Sequence, residues 1–257
     1  MRIVIKIGSG VLARDGGVSL NHALIARLTQ SIADLSSDGH QCVVVSSGAV
    51  AAGLMAFGLD HRPEEIGALQ ACAAVGQARL MHTYESHFSQ FDLKVAQLLL
   101  TGDDFSDERR RENITTTLTR LLDSPGIVPI INENDSVAVF ELKVGDNDLL
   151  SAQVAKTVNA DLLILLTSVT GLRPPDSSGP DDIVETVPDI DAVLDFASSE
   201  TGSLSVGGMR SKLEAVKIAV GSGISTVIAS GHNPEQLADI VAGSGKATRF
   251  PVPAATA

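Results

Sequence analysis

The sequence predicts an α/β domain with a largely parallel sheet covered by helices on both faces. Short apolar runs alternate with amphipathic stretches along the whole chain. Several runs are continuously apolar, as strands buried on both sides are. Their order, β-α-β-α, is the one that parallel strands joined by crossover helices require.

In chain order the strands are expected in "RIVIKIG", "QCVVVSS", "KVAQLLLT", "IVPIIN", "DLLILLT" and "STVIASG". Helices are expected near residues 20–36, 64–91, 107–123, 149–159, 208–221 and 234–242. The run "SVAVFELKV" alternates apolar with polar residues and reads as an inserted hairpin. "LRPPDSSGPDD" is the clearest flexible loop. A lobe boundary is expected near residue 150, giving lobes of about 1–150 and 151–257 within one domain over 1–257.

A chain of 257 residues, 44% hydrophobic, can bury a substantial core, and its scarcity of aromatics makes that core aliphatic. The formal net charge of −12 argues against general nucleic-acid binding, which needs a basic face. An anionic small substrate stays compatible, because a few lysines can reverse the field inside a cleft. Cys42 and Cys72 give neither a disulfide framework nor zinc spacing and read as small buried hydrophobes. No signal peptide is read in "MRIVIKIG", and the longest apolar run falls short of the roughly 20 residues a bilayer-spanning helix needs. The expectation is a soluble, cytoplasmic protein with no membrane partner.

Four loops invite a phosphate-binding reading, and two are decoys. "KIGSGVLA" matches a loose G-x-G-x-x-A, but Asp15-Gly16-Gly17 interrupts where a dinucleotide fold would continue its helix. Lys6, near the carboxyl end of that apolar strand, still needs an anionic partner. "GSGKAT" has Ile240 and Ala247 where a Walker loop needs Gly and Ser/Thr, so it reads as a turn before a terminal strand. "VGGMRSKLEAV" sets Gly207 and Gly208 before an amphipathic helix. Lys212 shares the face of Gly208 and leans back toward the helix start. The alternative is a solvated lysine after a flexible loop. "SSGAVAAG" sets Ser46, Ser47 and Gly48 before a small-residue helix, either as an oxyanion site or as an N-cap with close helix packing.

The stretch "INENDSVAVFELKVGDNDLLSA" holds two Asn/Asp clusters, Asn132-Glu133-Asn134-Asp135 and Asp146-Asn147-Asp148. By residue type alone they are turn and cap residues.

Taken together, these motifs resemble the amino acid kinase family. "KIGSGVL", "VSSGAVAAG", "QACAAVGQ", "INENDSV", "KVGDNDLLSA" and "GGMRSK" are similar to the set found in the branch that phosphorylates free glutamate. "AAVGQ" and "INEND…KVGDND" are the more specific of these; the lysine and "GGM" motifs occur across the wider family. The resemblance implies an open αβα sandwich, with an amino-acid lobe first and an ATP lobe second. It implies ATP-dependent phosphorylation of the glutamate side-chain carboxylate, the opening step of proline biosynthesis, with Mg²⁺ held mainly by the nucleotide's phosphates rather than by the protein.

The site carried over residue by residue has Lys6 and Lys212 neutralising phosphoryl charge and Asp148 orienting both lysines. Gly8 and Gly48 offer backbone N–H groups nearby. Asp135 pairs with the substrate's ammonium, Asn147 contacts either polar end and Ser47 donates to a carboxylate. Asn132, Asn134 and Asp146 contact substrate or brace the loops. Lys6, Gly8, Thr167, Ser168, Gly207, Gly208, Met209 and Lys212 fall at the nucleotide positions. A carboxylate is already a nucleophile at neutral pH, so no general base is needed, and no isolated His stands beside these motifs.

The chain departs from the family pattern at Ser168, where Asp is usual, at Arg173-Pro174-Pro175, and at Val206. These departures bear on nucleotide contacts. Many members carry a C-terminal PUA domain, and these 257 residues are expected to lack one. Self-association as a dimer or tetramer and inhibition by proline are further family expectations. Two other readings fit the residues less well. One is a kinase for N-acetylglutamate or aspartate, the former having no charged amine for Asp135. The other is a non-catalytic amino-acid or nucleotide sensor, which would not need Lys6, Asp148 and Lys212 together.

Overall fold

A computed structural model of the chain describes residues 1–14, 17–138, 147–177, 179, 182–194 and 208–253. The expected hairpin falls largely outside them. Asp146, Val206 and Gly207 lie outside them entirely.

The chain builds one sheet of seven strands, β1 (Arg2–Ile7), β4 (Gln41–Ser46), β5 (Lys94–Leu100), β6 (Ile127–Glu133), β7 (Leu162–Thr167), β8 (Ser225–Ser230) and β9 (Ala247–Phe250), in the order β5-β6-β4-β1-β7-β8-β9. All neighbours run parallel except β8 and β9. Each sequence-predicted strand is present, and the turn at "GSGKAT" leads into β9 as expected. Two short strands, β2 (Ala13–Arg14) and β3 (Ser19–Leu20), form a separate antiparallel pair that the sequence did not announce.

Helices cover both faces. On one side lie α6 (Glu108–Leu122), α7 (Asn147–Thr157) and α8 (Met209–Gly221), packed through Leu118, Val154, Leu213 and Val216 onto Val4, Val43, Val45 and Leu163. On the other lie α2 (His22–Ser37), α4 (Ile66–Phe88) and the short α1 (Ser9–Leu12) and α9 (Leu237–Val241), against Ile3, Ile5, Ile7, Val44 and Ile164. The strands are thus apolar throughout because odd and even positions meet different helical layers. Burying Leu24, Ile25, Leu28, Ile32 and Leu35 of α2 stabilises the fold by about 1.5–3 kcal/mol per side chain.

Local chemistry sets the boundaries. Asn21 caps α2, its side chain accepting from the Leu24 N–H, and Gly39 leaves the helix with φ +85°. Asp107 caps α6 by accepting from the Arg110 N–H at 2.8 Å. Thr101 and Asp104 form a capping box at the start of α5 (Gly102–Ser106). Pro129 in β6 has no N–H, and the ladder to β4 begins only beyond it, at Ile130.

The tightest helix packing joins α3 (Ala49–Leu54) to α4. A Cβ on Gly76 would sit 1.8 Å from the Ala49 carbonyl oxygen, and one on Gly53 would sit 1.9 Å from that of Cys72. The small residues of "SSGAVAAG" and "AAVGQ" are therefore what lets two backbones touch. Among the described residues, no helix is long and apolar enough to cross a membrane.

Candidate active site

The carboxyl ends of β1, β4, β6 and β7 converge on one edge of the sheet, the place where ligands bind in such folds. Lys6 pairs in register with Val45 and Leu165, so its level in the sheet is that of the last residues before those strands end. Its parity is that of Val4, which directs it toward α7 and α8.

There Lys6 meets Asp148. Its Nζ lies 2.5 Å from Asp148 Oδ1, while Lys212 Nζ donates to Asp148 Oδ2 at 3.0 Å. The three residues come from β1, α7 and α8, and all are buried, with Lys6 4%, Asp148 0% and Lys212 7% exposed. Burial pushes the Asp148 carboxyl up, but the charges and hydrogen bonds of Lys6 and Lys212 outweigh it and hold the group below its ordinary value of 3.8. The carboxylate sits in the first turn of α7, where the helix dipole also favours negative charge. Two ammonium groups thus converge on one carboxylate in a place largely closed to water, an arrangement suited to receiving an anion.

The neighbouring residue does something different. Asn147 Nδ2 donates to the Ser46 carbonyl at 2.7 Å, to Asn132 Oδ1 at 2.9 Å and to Ser47 Oγ at 3.1 Å. Asn132 Nδ2 in turn donates to Gln77 Oε1 at 2.8 Å. The first Asn/Asp cluster thus touches the second through Asn132. Asn134 instead shapes the turn after β6, its N–H bonded to the Leu100 carbonyl and its own carbonyl accepting from Val137 and Ala138. Asp135 lies in that turn, half-buried, within electrostatic reach of Arg62.

Gly48 opens α3 with φ +96° and ψ 0°, a left-handed conformation that a side chain disfavours. Gly8 corrects one expectation. Its N–H is not offered to a ligand, because it donates to the Leu166 carbonyl at 3.0 Å. A Cβ there would lie 3.3 Å from that oxygen and 3.7 Å from Lys6 Nζ, so Gly8 matters by leaving room above the lysine.

On the other side, Thr167 ends β7, buried, with its carbonyl accepting from Gly231. Ser168 is exposed and faces Gly10, with its Oγ 3.7 Å from where a Gly10 Cβ would be. Gly208 precedes α8 and is open to solvent. Met209 packs into the core, so any ligand contact at that residue falls to its backbone. Of the residues named from sequence, the structure joins Lys6, Asp148 and Lys212 directly, and Ser47, Asn132 and Asn147 directly. Sequence reasoning quoted Gln77 within a motif but gave it no role, and it passed over Arg62. Neither had a local signal beyond its residue type.

Comparison with known proteins supplies the family. The amino acid kinase family model matches residues 1–230. The glutamate 5-kinase of Symbiobacterium thermophilum is 45% identical over 253 residues, covering 97% of this chain and 95% of that one. That of Geobacter metallireducens is 46% identical over 252 residues, covering 97% of this chain and 67% of its own. Among solved structures, a carbamate kinase from Giardia lamblia bound to AMP-PNP superposes with a TM-score of 0.62 at 16% identity, covering 97% of this chain and 98% of that chain. UMP kinase from Ureaplasma parvum gives a TM-score of 0.64 at 17% identity, covering 97% of this chain and 99% of its own. These two likenesses speak to fold alone. By sequence and fold, the chain belongs to the amino acid kinase family.

Proposed function

We propose that the chain transfers the γ-phosphoryl group of ATP to the side-chain carboxylate of L-glutamate, giving L-glutamyl 5-phosphate and ADP, the reaction that opens proline biosynthesis. The observation that carries the reading is the buried Lys6–Asp148–Lys212 triangle, which gathers two ammonium groups on one carboxylate. The glutamate 5-kinases at 42–46% identity support the choice of acid.

In this reaction a carboxylate oxygen attacks the γ-phosphorus as the bond to the bridging oxygen breaks, and ADP leaves with that electron pair. No proton need move. The obstacle is charge, since an anion approaches an anion and negative charge spreads over the equatorial and leaving oxygens. Lys6 and Lys212 are placed to meet that charge, and Asp148 holds both ammonium groups in position before the substrates arrive. Because Asp148 spends both oxygens on lysines, it serves as an orienter and not as a base or metal ligand.

We assign Asp135 to the substrate's ammonium. Asn147 spends its NH₂ group on bracing, which leaves its side-chain carbonyl to contact the amino acid. Ser47 serves the carboxylate end. The nucleotide falls to Gly8, Thr167, Ser168, Gly207, Gly208, Met209 and Lys212, with the amino-acid lobe at about 1–150 and the nucleotide lobe at about 151–257. Among the described residues no group of three His, Cys, Asp or Glu side chains could hold a metal. Mg²⁺ is assigned to the nucleotide's phosphates, as the family resemblance implies, and no step here is routed through it. A cytoplasmic location, a homo-oligomeric state and proline inhibition complete the proposal.

The test is an incubation with MgATP, hydroxylamine and one acid at a time. Glutamate should give hydroxamate and ADP in equal amounts. Turnover only with N-acetylglutamate or aspartate would move the substrate. Glutamate binding with no turnover on any acid would reject the kinase reading.

A further inference from the structure

The motif "AAVGQ" ends in a residue that the proposed reaction leaves without a task. Gln77 follows Gly76, whose missing Cβ lets α4 press onto the first turn of α3. Gln77 itself lies within hydrogen-bonding distance of Asn132 at the end of β6.

Its amide closes a series whose direction the backbone fixes. The Ser46 carbonyl can only accept, so the nitrogen of Asn147 must face it. The Glu133 N–H can only donate, so the oxygen of Asn132 must face it, at 2.9 Å. Asn147 Nδ2 then donates to Asn132 Oδ1, and Asn132 Nδ2 is left needing an acceptor. Gln77 Oε1 is that acceptor. Gln77 Nε2, at the far end, is buried and has no hydrogen-bond partner among the described residues. An unmade buried donor is unfavourable, so the amide is kept here for its acceptor, which Asn132 Nδ2 requires.

We propose that Gln77 is a positioning residue for the amino-acid pocket. It holds the Asn132 amide, and through it Asn147, in the single orientation that gives the pocket a fixed pattern of donors and acceptors. The inference rests on the assignment of Asn147 to the substrate. Gln77 makes no part of the lysine triangle, so its effect belongs to amino-acid recognition and not to the nucleotide or to phosphoryl transfer.

The test uses Gln77→Met, which removes both amide groups, and Gln77→Glu, which keeps an acceptor toward Asn132. Gln77→Met should raise KM for glutamate about tenfold or more. It should leave KM for ATP and kcat within about twofold. In an Asn132→Ala background the same change should add less than about twofold, because the residue through which it acts is gone. Equal rises in both KM values, or an undiminished effect in the Asn132→Ala background, would overturn the proposal. A second readout needs no turnover and so separates this inference from the choice of substrate. In the unliganded protein the side-chain NH₂ protons of Asn132 and Asn147 should be protected from exchange, exposed in Gln77→Met and protected again in Gln77→Glu. Unchanged protection in Gln77→Met, or lost protection in Gln77→Glu where Gln77→Met does not fold, would contradict it.

Discussion

Asp148 and Asn147 are neighbours at the start of one helix, yet they anchor two regions built on different physics. Asp148 gathers two buried ammonium groups. Asn147 gathers a backbone carbonyl, a hydroxyl and a second amide, all neutral. The ionic triangle draws its strength from charge in a water-poor place. The amide network is balanced except at its outer end, and its value lies in direction. A phosphoryl group in flight needs the first kind of surroundings. A small zwitterion that must be told from its relatives needs the second.

The contrast can be broken at either end, and the largest effect is expected at the carboxylate. Asp148→Asn would leave two buried cations facing each other and should lower unfolding stability by about 3–5 kcal/mol in urea titrations. The pH dependence has a defined sign. Because the folded carboxyl is held below 3.8, its contribution is fully present above that value. It is lost as pH falls through the lower folded value. The gap between wild type and Asp148→Asn should therefore stay constant from neutral pH to about pH 5 and close only below the ordinary carboxylate range.

Next comes Lys212→Ala, which removes charge from the reacting phosphoryl group. It should lower kcat by about 10²–10³-fold with KM for glutamate little changed, read in a coupled ADP assay. A loss confined to KM would mean that the triangle binds and does not catalyse. Gly76→Ala sharpens the other region. Its Cβ cannot fit 1.8 Å from the Ala49 oxygen, so α3 and α4 must part. Thermal unfolding should show a loss of about 1–3 kcal/mol, with poorer glutamate binding. Asn147→Ala should have the smallest energetic effect of the four, about 1–2 kcal/mol in the KM for glutamate.

Much of this was legible in the sequence, for identifiable reasons. Continuous apolar runs marked the strands. Lys6 stood out because a cation in an apolar strand has no cheap explanation. What the sequence hid depends on register and on three-dimensional contact. The Gly8 N–H looked available, and only the pairing of β1 with β7 reveals that Leu166 takes it. Gly76 looked like one small residue among several until α3 lay against it. Gln77 had no neighbour in sequence to give it meaning, since Asn132 lies 55 positions away. The second cluster read as a helix start, which Asn147 and Asp148 are, and their partners on β1 and α8 lie far along the chain.

The account's central claim is that a carboxylate oxygen attacks the phosphoryl group directly. Glutamate carrying ¹⁸O in its side-chain carboxylate, turned over with MgATP in unlabelled water and trapped with hydroxylamine, tests it most directly. Hydroxylamine attacks the acyl carbon and releases phosphate with the oxygen that bridged carbon and phosphorus. The account predicts one ¹⁸O in each phosphate released, and none of this product from Lys212→Ala on the same timescale. Phosphate formed at the same rate but free of label would mean that water is the nucleophile, and would contradict it.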